Sequence, residues 1–298
     1  MSKNVYFGDI SIKTSSDTSV DTTNFDTLKC LINKTITNIT IPKSVSYIGA
    51  SVFRNCEHLQ NVNLHDNLSG IYAGAFYNCS SLELDALPES ITHIDSNAFS
   101  YCSNIRLTAL PSKLKKISSV SFGQCTSLAL TSLPEGVTSI DPDAFFNCQN
   151  LALTELPSGV TTIGEEAFYQ CYNIALTSLP DVLTSVGTRG FCKCTKLAIS
   201  SIPASLTDIG EAAFNACDGI TDLAIHGSGQ TIGQYAFVYC QGLTSVTFYG
   251  TPASMETEVF LNCANLTTIN VPWSEGEVAN APWGATNATI NYNYTTTE

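Results

Sequence analysis

Positive charge is scarce in this chain. Thirteen lysines and arginines stand against 26 aspartates and glutamates, a net charge of −13. That balance argues against a nucleic-acid backbone or an anionic membrane surface as partner, because both select for clustered cations. Charged residues of either sign make up only 13% of the sequence, roughly half the usual share. Long apolar runs are missing too. Nothing approaches the roughly 18 apolar residues that span a bilayer, so no membrane insertion is expected. Met1 to Ile10 holds one lysine and no apolar stretch, so the chain as written is not expected to carry a Sec leader. No Cys-x-x-Cys pair with zinc spacing and no phosphate-binding glycine loop occurs. The histidines are His58, His65, His93 and His226, and none is set beside a nucleophile and an acid as a triad requires. Neither a metal, a cofactor nor an enzymatic activity is expected.

What is there is a repeat. Phenylalanine recurs every 23 residues from Phe53 to Phe260, ten times without insertion or deletion, and each is followed three residues later by cysteine, Cys56 to Cys263. Three residues after each cysteine comes Leu or Ile. A fixed period of this size marks a solenoid, in which each unit buries its apolar face only against its neighbours. The repeat therefore overrides the two-domain expectation that 298 residues would otherwise raise. Residues 29–52 keep the phase imperfectly, with Cys30 in the Phe slot and Asn33 in the Cys slot. Residues 1–28 lie outside it and are expected to cap the N-terminal end or to attach the chain to a larger assembly. Val5–Phe7 and Ile10–Ile12 suit short strands there. Residues 273–298 leave the period. Trp273 and Trp283, the only tryptophans, are expected to close the other end, with Ala288 to Tyr292 adding a last strand.

Within a unit the apolar spacing comes in two forms. The units at Leu59, Ile220, Leu243 and Leu266 read LxxIxV, a strand pattern. Six central units, from Leu82 to Leu197, move the first inward position from +3 to +2, as in Leu128-Ala-Leu130. Strand side chains alternate with period 2, so a bulge or bend is expected between +2 and +5. Proline then ends the strand, an Ile or Val ladder (Ile48 to Ile232) forms the opposite wall, and Gly or Asp turns the chain. The Ala-Phe-x-x-Cys segment is expected as a short helical turn with Ala, Phe and Cys inward.

This unit resembles the BspA-type leucine-rich repeat, LxxIxIP–xxVxxIG–xxAFxxC, over roughly residues 30–272. The resemblance implies a leucine-rich-repeat solenoid of about eleven coils, strand-dominated with short helical turns. It also implies kinship with bacterial and protist surface proteins of adhesion. The Pro-Trp ending is similar to the close of repeat modules in gut bacterial and phage proteins.

Ten of the twelve cysteines stand at a fixed repeat position and stack in parallel, which does not bring their Cβ atoms to disulfide distance. A reduced, buried ladder is expected, with Cys192, off the ladder, the most exposed thiol. Asp95, Asp141, Asp143, Glu165, Glu166 and Glu211 are expected to form a solvated acidic ridge. Two surfaces are candidates for binding. One is the edge beside the Phe-Cys turn, with Tyr77, Tyr101, Phe146, Tyr169, Tyr172 and Tyr239; tyrosine is a frequent interface anchor. The other is the outer face of the central strands, with Thr108, Thr131, Thr154 and Thr177 beside small alanines. The expected function is a recognition scaffold, adhesin-like or receptor-binding, contacting protein or glycan on a cell surface. A structural component of a particle such as a phage virion, held through residues 1–28, and an intracellular interaction scaffold are the alternatives.

Overall fold

The structure is a computed structural model that describes residues 12–14 and 36–295. The chain winds as a parallel β-solenoid whose coils stack in the 23-residue register of the sequence. One wall is made of ten two-residue strands, Tyr47–Ile48 to Ser254–Met255, paired in parallel at that spacing: Ile71 opposite Ile94, Ser185 opposite Asp208. Their Ile and Val side chains form a buried ladder on the inner face. Coil-to-coil bonds run from the residue after each of these, as in Gly164 N–H to the Ile140 carbonyl at 2.8 Å. The ladder is interrupted once, between His93–Ile94 and Lys116–Ile117. There the buried Ser118 hydroxyl donates to the Ile94 carbonyl at 2.7 Å, in place of the backbone bond that neighbouring coils make.

The opposite wall follows the two spacings in the sequence. The LxxIxV units form regular strands at either end of the stack. Ile36–Thr40 pairs with Asn61–Asn63, and a five-stranded sheet runs from Ser201–Ile202 to Thr289–Asn291. Between them the chain bends at Thr108, Thr131, Thr154 and Thr177, inside the expected +2 to +5 interval. Leu107 and Leu110, Leu130 and Leu133 still point inward on either side of those bends. The carbonyl of each strand-ending proline from Pro42 to Pro203 then accepts the N–H three residues on, as in Val137 N–H to Pro134 at 3.0 Å.

The Ala-Phe-x-x-Cys segment corrects an expectation. No helix occurs among the described residues. The segment is a staircase of turns in which N–H groups alternate between two destinations. Ala75, Tyr77 and Cys79 bond back three residues within their own coil, while Gly74, Phe76 and Asn78 bond to Ser96, Ala98 and Ser100 of the next. A helix would direct every N–H within its own segment and leave nothing to tie the coils along this side. The alternation needs two left-handed residues per coil, such as Asn97 (φ 59°) and Tyr101 (φ 63°), and even the β-branched Val120 (φ 55°) adopts this conformation.

The core is one continuous cluster. The ten phenylalanine rings stack along the axis with centroids 5.1 to 5.7 Å apart. Each ladder thiol from Cys79 to Cys263 donates to the carbonyl of the phenylalanine one coil back, at 3.0 to 3.1 Å. Cysteine in this slot is thus a hydrogen-bond donor as well as an apolar filler. Eleven cysteines lie among the described residues, all buried and none in a disulfide. Cys192 also corrects an expectation: it is 4% exposed. It takes the slot occupied by Phe146 and Tyr169 in earlier coils, where a short side chain stays below longer neighbours. Burial pushes its thiol up to about 11, against the charges of Lys193 and Arg189.

At the C-terminal end Trp273 and Trp283 are buried edge to face, 6.3 Å apart, and Trp273 packs edge-on against Phe248. The Trp283 indole donates to the Ala279 carbonyl at 2.7 Å. Thr289–Asn291 adds the last parallel strand. At the other end Ile12–Thr14 pairs antiparallel with Ile36–Thr40. The remainder of 1–28, including Val5–Phe7 and the attachment segment expected there, lies outside the described residues, as do Cys30 and Asn33.

Candidate functional site

The Phe-Cys staircase forms one long edge of the solenoid, and it carries the aromatic residues singled out by sequence. It gathers them into separate groups. Tyr77 and Tyr101 meet edge to face at 5.5 Å, and the Arg54 guanidinium lies 3.9 Å over the Tyr77 ring. Two coils further on, Phe146 and Tyr169 stack at 5.4 Å and 8°. The Lys193 ammonium sits 5.4 Å from the Tyr169 ring centre and donates to its hydroxyl at 3.4 Å. Tyr172, half-buried, follows on the same coil as Tyr169. Tyr239, 52% exposed, stands apart and lines a cavity of about 360 Å³ with Asn262, Gly284, Thr286 and Asn287. Ser100 and Gly123 occupy the slot between the two pairs and are buried.

The cations on this edge were not singled out by sequence. Arg54 shares the Tyr77 slot one period earlier, which a slot-by-slot alignment would have revealed. Lys193 follows Tyr169 by 24 residues, one off the period, and no alignment of slots pairs them. The hydrogen bond to Tyr169 raises the Lys193 ammonium above its ordinary value. Arg189 forms an ion pair with Glu166 at 2.8 Å.

The acidic ridge is partly neutralised. Glu166 has Arg189, and Asp141 pairs with Lys116 at 3.3 Å. Asp143 has its carboxyl raised by desolvation first and by Glu166 and Glu165 next. No group of three or more His, Cys, Asp or Glu among the described residues is arranged to hold a metal ion.

Of the histidines, His65 takes a proline slot and bonds the Pro42 carbonyl at 2.8 Å. His226, in the same slot, stacks on Tyr249 at 4.6 Å. His93 packs edge-on against Tyr72 at 5.0 Å.

The second candidate surface is present as expected in outline. Thr108, Thr131, Thr154 and Thr177 are all exposed, one per coil, and none of their hydroxyls bonds within the described residues. On the other wall Thr92, Thr138, Thr161 and Thr184 each donate to a carbonyl 23 residues back, at 3.0 to 3.3 Å.

The BspA type leucine rich repeat region matches in overlapping blocks, residues 28–152, 119–228 and 161–281. The chain belongs to this family. Among solved structures, a leucine rich cell surface protein from Faecalibacterium prausnitzii is similar, at 25% identity and a TM-score of 0.52, over 90% of this chain and 82% of that one. The pneumococcal vaccine antigen PcpA shares the fold at 17% identity and a TM-score of 0.50, over 87% of this chain and 68% of that one. No curated protein matches the chain. This BspA-type protein is accordingly a repeat scaffold that resembles bacterial cell-surface leucine-rich repeat proteins.

Proposed function

We propose that this protein is a non-enzymatic recognition scaffold of adhesin or receptor-binding type, which presents its Phe-Cys edge to protein or glycan on a cell surface. The observation that carries this is the pairing of aromatic rings with cations on that edge, Arg54 on Tyr77 and Lys193 on Tyr169, upon a stacked backbone. Amphipathic rings held on a rigid frame lose little conformational entropy when a partner arrives. Membership of a family with a cell-surface relative supports the same reading. In this reading residues 29–272 are the repeat array and 273–298, with the two buried tryptophans, its C-terminal cap.

The test is binding of the labelled chain to intact bacterial and epithelial cells, beside a variant carrying Tyr77→Ser, Tyr101→Ser, Tyr169→Ser and Tyr172→Ser. Saturable binding that the variant loses is the expected result. Saturable binding retained by the variant moves the site to the Thr108–Thr177 face. Absence of saturable binding to every cell type overturns the recognition role.

A further inference from the structure

The cations of this chain are few, and among the described residues two of them are in ion pairs. Arg189 is paired with Glu166, and Lys116 with Asp141. Lys113 lies close enough to Glu89 to help lower its carboxyl, after the hydrogen bonds from Ser112. Lys193 and Lys196 rest on aromatic and amide groups instead. They lie three residues apart on one coil, and each has a neutral hydrogen-bond partner. Lys193 touches Tyr169, and Lys196 donates to the Asn173 side-chain oxygen at 2.7 Å. Neither forms an ion pair among the described residues. The chain has twice as many acids as bases, yet both ammonium groups rest on neutral partners. Lys196 is also the last lysine or arginine of the sequence.

Their surroundings are aromatic and amide. Tyr169 and Tyr172 stand on the preceding coil, and Phe146 backs Tyr169. A relay of amides reaches Lys196 across four coils. The Asn147 amide donates to Gln124 at 2.7 Å, Gln149 to Asn147 at 3.0 Å, and Asn173 to the Gln149 carbonyl at 3.0 Å. Amides and phenols supply donors and acceptors for sugar hydroxyls, and an aromatic side chain packs against the apolar C–H face of a sugar ring. The two ammonium groups supply charge-assisted hydrogen bonds to an anionic oxygen.

We propose that Lys193, Lys196, Tyr169 and Tyr172 bind a carboxylated sugar residue, a sialic or uronic acid, in a short saccharide. This rests on the recognition role above and names the ligand class of that edge. The carboxylate takes the two ammonium groups, and the ring lies on the tyrosines. The protein's net charge of −13 opposes polyanions at long range, but salt screens that field beyond about 8 Å. A single carboxylate on a short chain therefore reaches the pair where a long polyanion does not.

The probes are sialyllactose, digalacturonate, uncharged lactose and an oligoglutamate peptide, titrated by NMR against the full chain. Binding of sialyllactose or digalacturonate, with none of lactose or peptide, is expected, and which of the two binds identifies the acid. Lys193→Gln and Lys196→Gln should each weaken it about tenfold. The double variant Lys193→Arg, Lys196→Arg should keep it, which separates charge from any effect on folding. Equal binding of lactose, equal or tighter binding of the peptide, binding by neither acid, or unchanged binding in the Gln variants overturns the proposal. Cells separate the two levels. A Lys193→Gln, Lys196→Gln chain that still binds cells as the parent does refutes the saccharide site and leaves the recognition role. A parent chain that binds sialyllactose but no cell keeps the site and removes the surface role.

Discussion

Alkaline pH should unfold this protein through its thiol ladder. Six ladder thiols, Cys125, Cys148, Cys171, Cys194, Cys217 and Cys240, are held far above the ordinary thiol range, each chiefly by desolvation in the core. In the unfolded chain the same groups ionise near pH 8.5. Above that pH the unfolded state binds fewer protons than the folded one, so stability is complete below pH ~8.5 and falls as pH rises. At about pH 9.5 each such thiol removes roughly 1.4 kcal/mol, and the six together remove about 8 kcal/mol. That is comparable to the whole stability of an ordinary domain, about 5–15 kcal/mol. The assay is equilibrium urea unfolding in a non-thiol reductant, followed by fluorescence of the two buried tryptophans, at intervals from neutral pH to about pH 9.5. The midpoint should collapse over the last unit, before tyrosine and lysine titrate in quantity. Replacing one rung, Cys148→Ser, should reduce the proton dependence by about one, since serine does not ionise. A midpoint unchanged at about pH 9.5, or a dependence below one proton, would refute the picture of a ladder kept neutral by burial.

Other perturbations separate the middle of the stack from its end. Phe145 is fully buried between Phe122 and Phe168, at 5.7 and 5.5 Å. Phe145→Ala should cost about 4–5 kcal/mol. Among the described residues Phe260 stacks only on Phe237, and it borders a cavity, so Phe260→Ala should cost about 3 kcal/mol; equal costs from urea midpoints would count against a continuous ring stack. A Cβ at Gly164 would come within 2.5 Å of the Pro142 nitrogen on the preceding coil. Gly164→Ala should therefore cost about 2 kcal/mol, read as a lower melting temperature, and no change would mean the coils pack less closely than described.

Much of this fold could be read from spacing alone. The 23-residue interval of the phenylalanines is the interval of the strand register. The change from LxxIxV to LxLxxL located the bends at Thr108 to Thr177, because an inward residue moved from +3 to +2 has to turn the chain before +5. The staircase was not legible. Its left-handed residues include Val120, Glu166 and Arg189, types that carry no mark of that conformation, and the coil-to-coil bonds impose it regardless of side chain. Cys192 was misplaced because its depth depends on the lengths of its neighbours in the stack, which its own period does not encode. The cations of the candidate site escaped for a related reason, since Lys193 reaches Tyr169 from a neighbouring slot.

That last point bears on where recognition can reside in such a chain. Phe, Cys, Leu and Ile of each unit are committed to the core, and the same atoms recur on every coil. The slot after each phenylalanine is free of that demand. It runs Arg54, Tyr77, Ser100, Gly123, Phe146, Tyr169, Cys192, from charged to absent to aromatic. Stacking then brings unlike members of the sequence together at a spacing of about 5 Å, so a ligand spanning three coils meets a combination that no single repeat contains. Selectivity at the Phe146–Tyr169–Lys193 group accordingly depends on register. Inserting one further 23-residue unit between Tyr169 and Lys193 would keep every consensus contact yet separate the ring from its cation, so it should spare folding and abolish binding at that edge.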